Sequence, residues 1–160
     1  MARARAVPGL DGAEPFRIAA ARVVSVRTGE LFDRSENVLD TSDIERVHDM
    51  RVASRRLRAV LEIFAPCFEP TLHREVLADV KSLADALGER RDPDVHIAAL
   101  ERFADAYSEA DRPGVDSLVS RLREDQAAGN AMLSRALEEM ARSDLRGRLR
   151  ALCEAAGTPA

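Results

Sequence analysis

Between Val47 and Phe64 the chain writes an apolar series and a cationic series into one stretch, and an α-helix keeps them apart. At about 100° per residue, Met50, Ala53, Leu57, Leu61 and Phe64 fall on one side, while His48, Arg51, Arg55 and Arg58 fall within about 80° of one another, roughly 150° away. The apolar side has to be covered, so the segment predicts a helix packed into a larger helical assembly. The cationic side is not that of an ordinary solvated helix, where Glu and Lys alternate so that neighbours one turn apart attract. Here positive groups recur over three turns, and their repulsion calls for something negative.

The rest of the chain suits helices. Its 160 residues are enough for one domain with a real core, and 46% hydrophobic residues argue against disorder. Aromatic residues make up 4% and there is no Trp, so packing falls to Ala, Leu and Val. The formal net charge is −4, yet residues 46–58 carry five Arg against one Asp, a local +4 that leaves −8 for the remainder. Such a balance argues against a general nucleic-acid binder, which would be basic throughout, and favours a focused polyanion site on an acidic body. Lys81 is the only Lys among 24 cationic side chains, and Arg is the better fork for phosphate oxygens, although genome composition also accounts for the bias. Cys67 and Cys153 are far apart and in no metal-type spacing, which reads as two thiols of a reducing compartment. With no signal-peptide run at the start and nowhere 18 consecutive apolar residues, the expected location is cytoplasmic, with no membrane partner.

The periodicity predicts an all-α antiparallel bundle of about six helices. Residues 1–14 read as a flexible arm, 15–157 as a single helical domain and 158–160 as a tail. The first helix runs from Phe16 to Arg34. Ser42-Asp43-Ile44-Glu45 has the capping-box form and starts the second, which stops before Pro66. Leu72, Val76, Val80, Leu83 and Leu87 mark a third helix from Thr71 to Leu87, with Gly88 as its stop. Glu89-Arg90-Arg91 then forms a corner, and Asp92 and Pro93 start a fourth helix reaching Tyr107. A fifth spans Gly114 to Met140, with Gly129 on its apolar stripe permitting close helix approach. A short sixth runs from Asp144 to Ala155.

Catalytic signatures are missing from this pattern. There is no Gly-rich phosphate loop, no Gly-x-Ser-x-Gly elbow and no His-Glu-x-x-His. His48, His73 and His96 fall on three different predicted helices with no two at metal spacing, so no metal and no cofactor is assigned. Asp92 and Asp94 read as a cap and a first-turn dipole partner rather than a catalytic pair. The cationic stripe is different. Arg residues three to four apart repeat every ~5–6 Å, the scale of one or two phosphate units, so several guanidinium forks engage one linear anion laid along the helix. His48, in the second turn, adds a donor that is stronger when protonated, so binding is expected to strengthen as pH falls. The competing reading is that these Arg pair with acids of neighbouring helices, such as Glu36, Asp79 or Glu101, and merely tie the bundle together.

The segment His48-Asp-Met-Arg51-Val-Ala-Ser-Arg55-Arg56-Leu-Arg58 is followed, one helix on, by Lys81-Ser-Leu-Ala-Asp-Ala-Leu87-Gly88-Glu-Arg-Arg91-Asp92-Pro-Asp94-Val95. In order and spacing these two motifs resemble the signature of the CHAD family, the conserved-histidine α-helical domains. The resemblance implies a helical bundle that binds inorganic polyphosphate in a basic channel, is often found with polyphosphate granules, and has no catalytic role of its own. It assigns phosphate contact to His48, Arg51, Arg55, Arg58 and Lys81, with Arg56 and Arg91 as contributors. Arg56 lies about 100° off the stripe, so bracing a neighbour is its other reading.

The resemblance covers approximately residues 16–156 as the first half of the CHAD double bundle only, because no second His-x-x-Arg helix follows. Either a second copy supplies the other wall, as a homodimer, or the chain is a fragment with an open groove; symmetric pairing of one half would recreate the repeat and cover apolar surface. The triphosphate tunnel domain that often accompanies CHAD is not in this sequence, so the resemblance implies no triphosphatase activity. Two other functions stay in view. One is an enzyme or accessory subunit of phosphate-chain metabolism using His48; the other is a nucleic-acid-binding helical protein, for which Phe16, Phe32, Phe64, Phe68, Phe103 and Tyr107 offer little base stacking.

Overall fold

The computed structural model describes residues 3–103 and 106–157. Among the described residues there is no strand, and the elements in chain order are α1 (Phe16–Asp33), α2 (Ile44–Ile63), the 3₁₀ turn Ala65–Cys67, α3 (Pro70–Arg102), α4 (Arg112–Arg142) and α5 (Leu145–Gly157). The expected tail, 158–160, and the first two residues of the expected arm lie outside the described residues. The arm from residue 3 to 14 is non-helical and is tied to α1: the Arg5 amide donates to Glu30 at 2.5 Å and the Arg22 guanidinium reaches Glu14 at 3.0 Å.

A single core joins the helices. Val24 and Leu31 of α1, Met50, Leu57 and Leu61 of α2, Val76, Val80 and Leu87 of α3, Leu133 of α4, and Leu145, Leu149 and Leu152 of α5 are all essentially buried. Burying an aliphatic side chain of this size contributes ~1.5–3 kcal/mol, which makes this shared core the main support of the bundle. α1 packs on α2 and α5, α2 on α1 and α3, and α3 lies most extensively along α4. The N-terminal half of α4, residues 112–128, buries no side chain.

Two helix starts differ from the sequence reading. Asp43, not Ser42, caps α2, its carboxylate accepting from the Glu45 amide at 3.2 Å, while Ser42 is held by Asp40. A larger difference lies in the middle of the chain, where the expected third and fourth helices are one 33-residue rod. Gly88 does not end it, and Glu89-Arg90-Arg91 is not a corner. Nor is Pro93 a first-turn residue; it sits buried inside α3.

An interior proline costs about 3 kcal/mol or more, so tertiary contacts have to impose the continuity. They come from Arg90 and Asp94, one turn apart and both with 0% of the side chain exposed. The Arg90 guanidinium donates to Asp94 and, through Nε, to Asn130 Oδ1 at 3.1 Å. Gln126 donates to the same Asp94 oxygen at 2.6 Å, and Asn130 donates to the Leu39 carbonyl at 3.1 Å. Asp94 is therefore a buried ion-pair partner, not a helix-dipole group. Gly129 makes the approach feasible: a methyl there would stand 2.9 Å from Arg90 Cα and 3.0 Å from the Glu89 carbonyl oxygen, the acceptor that Pro93 leaves without its helical donor.

Gly129→Ala is accordingly expected to push α4 off α3 and destabilise the protein by about 1–3 kcal/mol in urea unfolding. Asp94→Ala should cost about 3–5 kcal/mol, since it strands a buried guanidinium, whereas the double change Arg90→Met/Asp94→Leu should cost clearly less than the single one.

Candidate functional site

α2 turns its apolar side inward. Met50, Ala53, Leu57 and Leu61 are buried, as the spacing predicts; Phe64, just past the helix, is half-buried, and Val47 is buried outside the predicted stripe. The helix is unbroken from Ile44 to Ile63, so His48, Arg51, Arg55 and Arg58 stack along successive turns at about 1.5 Å rise per residue. Arg55 is exposed, and His48, Arg51 and Arg58 are half-buried.

α3 runs antiparallel beside them and is fixed at two points. Near the C-terminal end of α2, Glu62 Oε1 accepts from Arg58 Nε at 3.1 Å and lies 3.2 Å from Lys81 Nζ, joining the two helices through one carboxylate. Near the N-terminal end, Arg91 donates to the Ile44 carbonyl at 3.0 Å and lies 3.5 Å from Glu45, with 14% of its side chain exposed. Between these ties Gly88 presents no side chain, and the space where a Cβ would stand is open. The α2 cations thus run along one helix and Lys81 and Arg91 along its antiparallel neighbour, with Gly88 between the last two in sequence.

Compensation among these cations is uneven. Arg58 and Lys81 share Glu62, and Arg91 is held by α2. Among the described residues, the side chains of Arg51 and Arg55 have neither hydrogen bond nor ion pair. Of the three acids named as possible partners, Asp79 pairs with Arg148 and Glu101 with Arg123, while Glu36 is exposed in the segment after α1. Arg56 turns to the other side of α2, where its charge acts on Glu30 of α1.

His48 stands in a small polar cluster. Ligand-type atoms of Glu45, His48 and Asp49 lie within 4.8 Å of one another, a spacing that could hold a cation. Both carboxylates already have guanidinium partners, Glu45 in Arg91 and Asp49 in Arg34 at 3.0 Å, so little negative charge is left for a metal. His73, by contrast, is core: it is buried, its Nε2 donates to the Leu61 carbonyl at 2.9 Å, and its ring stacks on Phe68. His96 is exposed on α3. An open groove of about 680 Å³ between α1 and α5, lined in part by Ala21, Ser25, Leu149 and Cys153, includes no residue of α2 or α3. Burial pushes the Cys153 thiol up to about 12, helped by the neighbouring Glu154 charge, so it is no nucleophile at neutral pH.

Sequence reasoning missed Glu62 and Arg90. Each stands one turn from its partner, Arg58 or Asp94, and that spacing was the available signal. Neither spacing says whether the pair is exposed, as Arg58–Glu62 is in large part, or sealed in the core, as Arg90–Asp94 is.

Acid sensitivity should arise at Glu30 of α1. Burial pushes its carboxyl up, but the Arg5 amide, the Arg27 side chain and the charges of Arg27 and Arg56 outweigh it and hold the group below its ordinary value of 4.5. A group depressed in the folded state gives stability that is complete above about pH 4.5 and lost as pH falls through the folded value. The Tm of the protein is expected to drop across that window, and Glu30→Gln should flatten the drop while lowering Tm at pH 7.

The sequence model of the CHAD domain family matches residues 23–160, most of the chain. No curated protein gives a match.

Proposed function

The chain belongs to the CHAD domain family, and we propose that it is a non-catalytic module binding inorganic polyphosphate along a trough between α2 and α3. The observation that carries this reading is the uncompensated pair Arg51 and Arg55, one turn apart on a half-open face. Two guanidinium groups left without acids, with more cations on both sides, form a charge row that a linear polyanion neutralises. The association of CHAD domains with polyphosphate supports the choice of anion, and the acidic net charge of −4 disfavours general nucleic-acid binding.

Each group has a role in that reading. Arg51 and Arg55 grip phosphate oxygens through their planar forks, Arg58 and Lys81 extend the row across both walls, and His48 donates from the N-terminal turns of α2, where the helix dipole adds positive potential. Arg91 acts mainly by holding α3 to α2, and Arg56 by bracing α1. The site has no activated nucleophile and no general base aimed at a bound chain, so binding is the whole of its chemistry. No helix among the described residues is long and apolar enough to cross a membrane.

Titration with long-chain polyphosphate tests the reading. Arg51→Ala/Arg55→Ala/Arg58→Ala, with its circular dichroism unchanged, should lose about a hundredfold or more in affinity, as expected from three charge-assisted contacts. Its plot of log affinity against log salt should be flatter than wild type by roughly two, because fewer counterions are released. Equal affinity of the variant and wild type would remove the proposal.

A further inference from the structure

Among the described residues, Glu62 is the carboxylate that joins a cation of α2 to a cation of α3 through one oxygen, and nothing in the architecture requires an acid there. Its side chain is 42% exposed, as are those of its partners to within a percent, so it seals no core. It does fill a position. A single oxygen, Oε1, sits within 3.2 Å of both Arg58 Nε and Lys81 Nζ, one cation from each helix. That is where an oxygen of a phosphoryl group bridging α2 and α3 would sit. The two cations hold the Glu62 carboxyl below its usual range, so the group is charged wherever the protein is folded at neutral pH.

We infer that Glu62 is an internal stand-in for phosphate which makes the trough select for chain length, an inference resting on the polyphosphate-binding reading above. Arg51 and Arg55 are open and bind a short anion without disturbing anything. A longer chain continues by one more turn, about 4–5 Å, to the level of Arg58. There its phosphoryl oxygens meet Glu62 and take Arg58 and Lys81 only by displacing it. The carboxylate swings out to solvent, which its exposure permits, and the chain gains two cations at the cost of one exposed ion-pair cluster. Short anions never reach that exchange. Glu62 thus weakens long-chain binding specifically, and is a specificity-determining residue rather than a ligand.

The experiment compares wild type, Glu62→Gln and Glu62→Ala with two probes, long-chain inorganic polyphosphate and pyrophosphate, at low salt. Both variants should bind the long chain about three- to fivefold more tightly, the scale of an exposed ion pair removed as competitor, with pyrophosphate affinity unchanged. An unchanged long-chain affinity, or an equal gain for pyrophosphate, would overturn the stand-in role while leaving polyphosphate binding intact. A wild-type protein that binds neither probe, or one that keeps its affinity in the Arg51→Ala/Arg55→Ala background, would instead overturn the parent reading. Using the glutamine and alanine forms together separates lost charge from lost bulk, since only a charge effect is shared by both.

Discussion

The buried pair of Arg90 and Asp94 holds the architecture in register. A guanidinium and a carboxylate sealed from water are costly unless their remaining hydrogen-bonding capacity is met, and Gln126 and Asn130 of α4 meet much of it. Arg90 Nη2 and Asp94 Oδ2 keep no partner, so the network is demanding and not fully satisfied. Its reach is wide nonetheless. Through Asn130 it holds the Leu39 carbonyl in the segment joining α1 to α2, and through α3 it sets the direction of Arg91, the next residue along. The α2–α3 face is thus positioned from behind by buried groups.

What this buried network does for shape, the exposed carboxylates do for charge. Glu45 and Glu62 stand near the two ends of the row, each already engaged with α3, and the middle is left bare. Ion pairs at such exposure add little to stability, so their main effect is on where free positive potential remains. The potential is concentrated on Arg51 and Arg55 rather than spread along all of α2.

Much of this was legible in the sequence, and the reason is periodicity. The two faces of α2, the apolar stripe of α3 through Leu87, and the close approach at Gly129 follow from side-chain spacing and size, which are local. The extent of α3 was not legible. Gly88, Asp92 and Pro93 carry local stop and start signals, and these were overruled by a contact with residues 126–130, more than thirty positions away. Ser42 and Asp43 show the same limit on a smaller scale: both can cap, and Asp40 claims the serine. Of the site, His48, Arg51, Arg55 and Arg58 could be named from helical geometry, whereas Lys81, Arg56 and Arg91 were named through the family resemblance, and how each is compensated was not legible. That Arg91 spends its donors on α2 and that Glu62 takes two cations at once depends on how α3 lies beside α2.

The unbroken course of α3 through Gly88 and Pro93 restricts how the gene can change. A loop between Lys81 and Arg90 would absorb an inserted or deleted codon by bulging. A helix has no such slack: one extra residue turns everything beyond it by about 100° and advances it by about 1.5 Å. Lys81 would then face the trough while Arg90 and Asp94 faced away from α4, or the reverse. Point substitutions in this segment are open to selection one at a time, whereas its length is not.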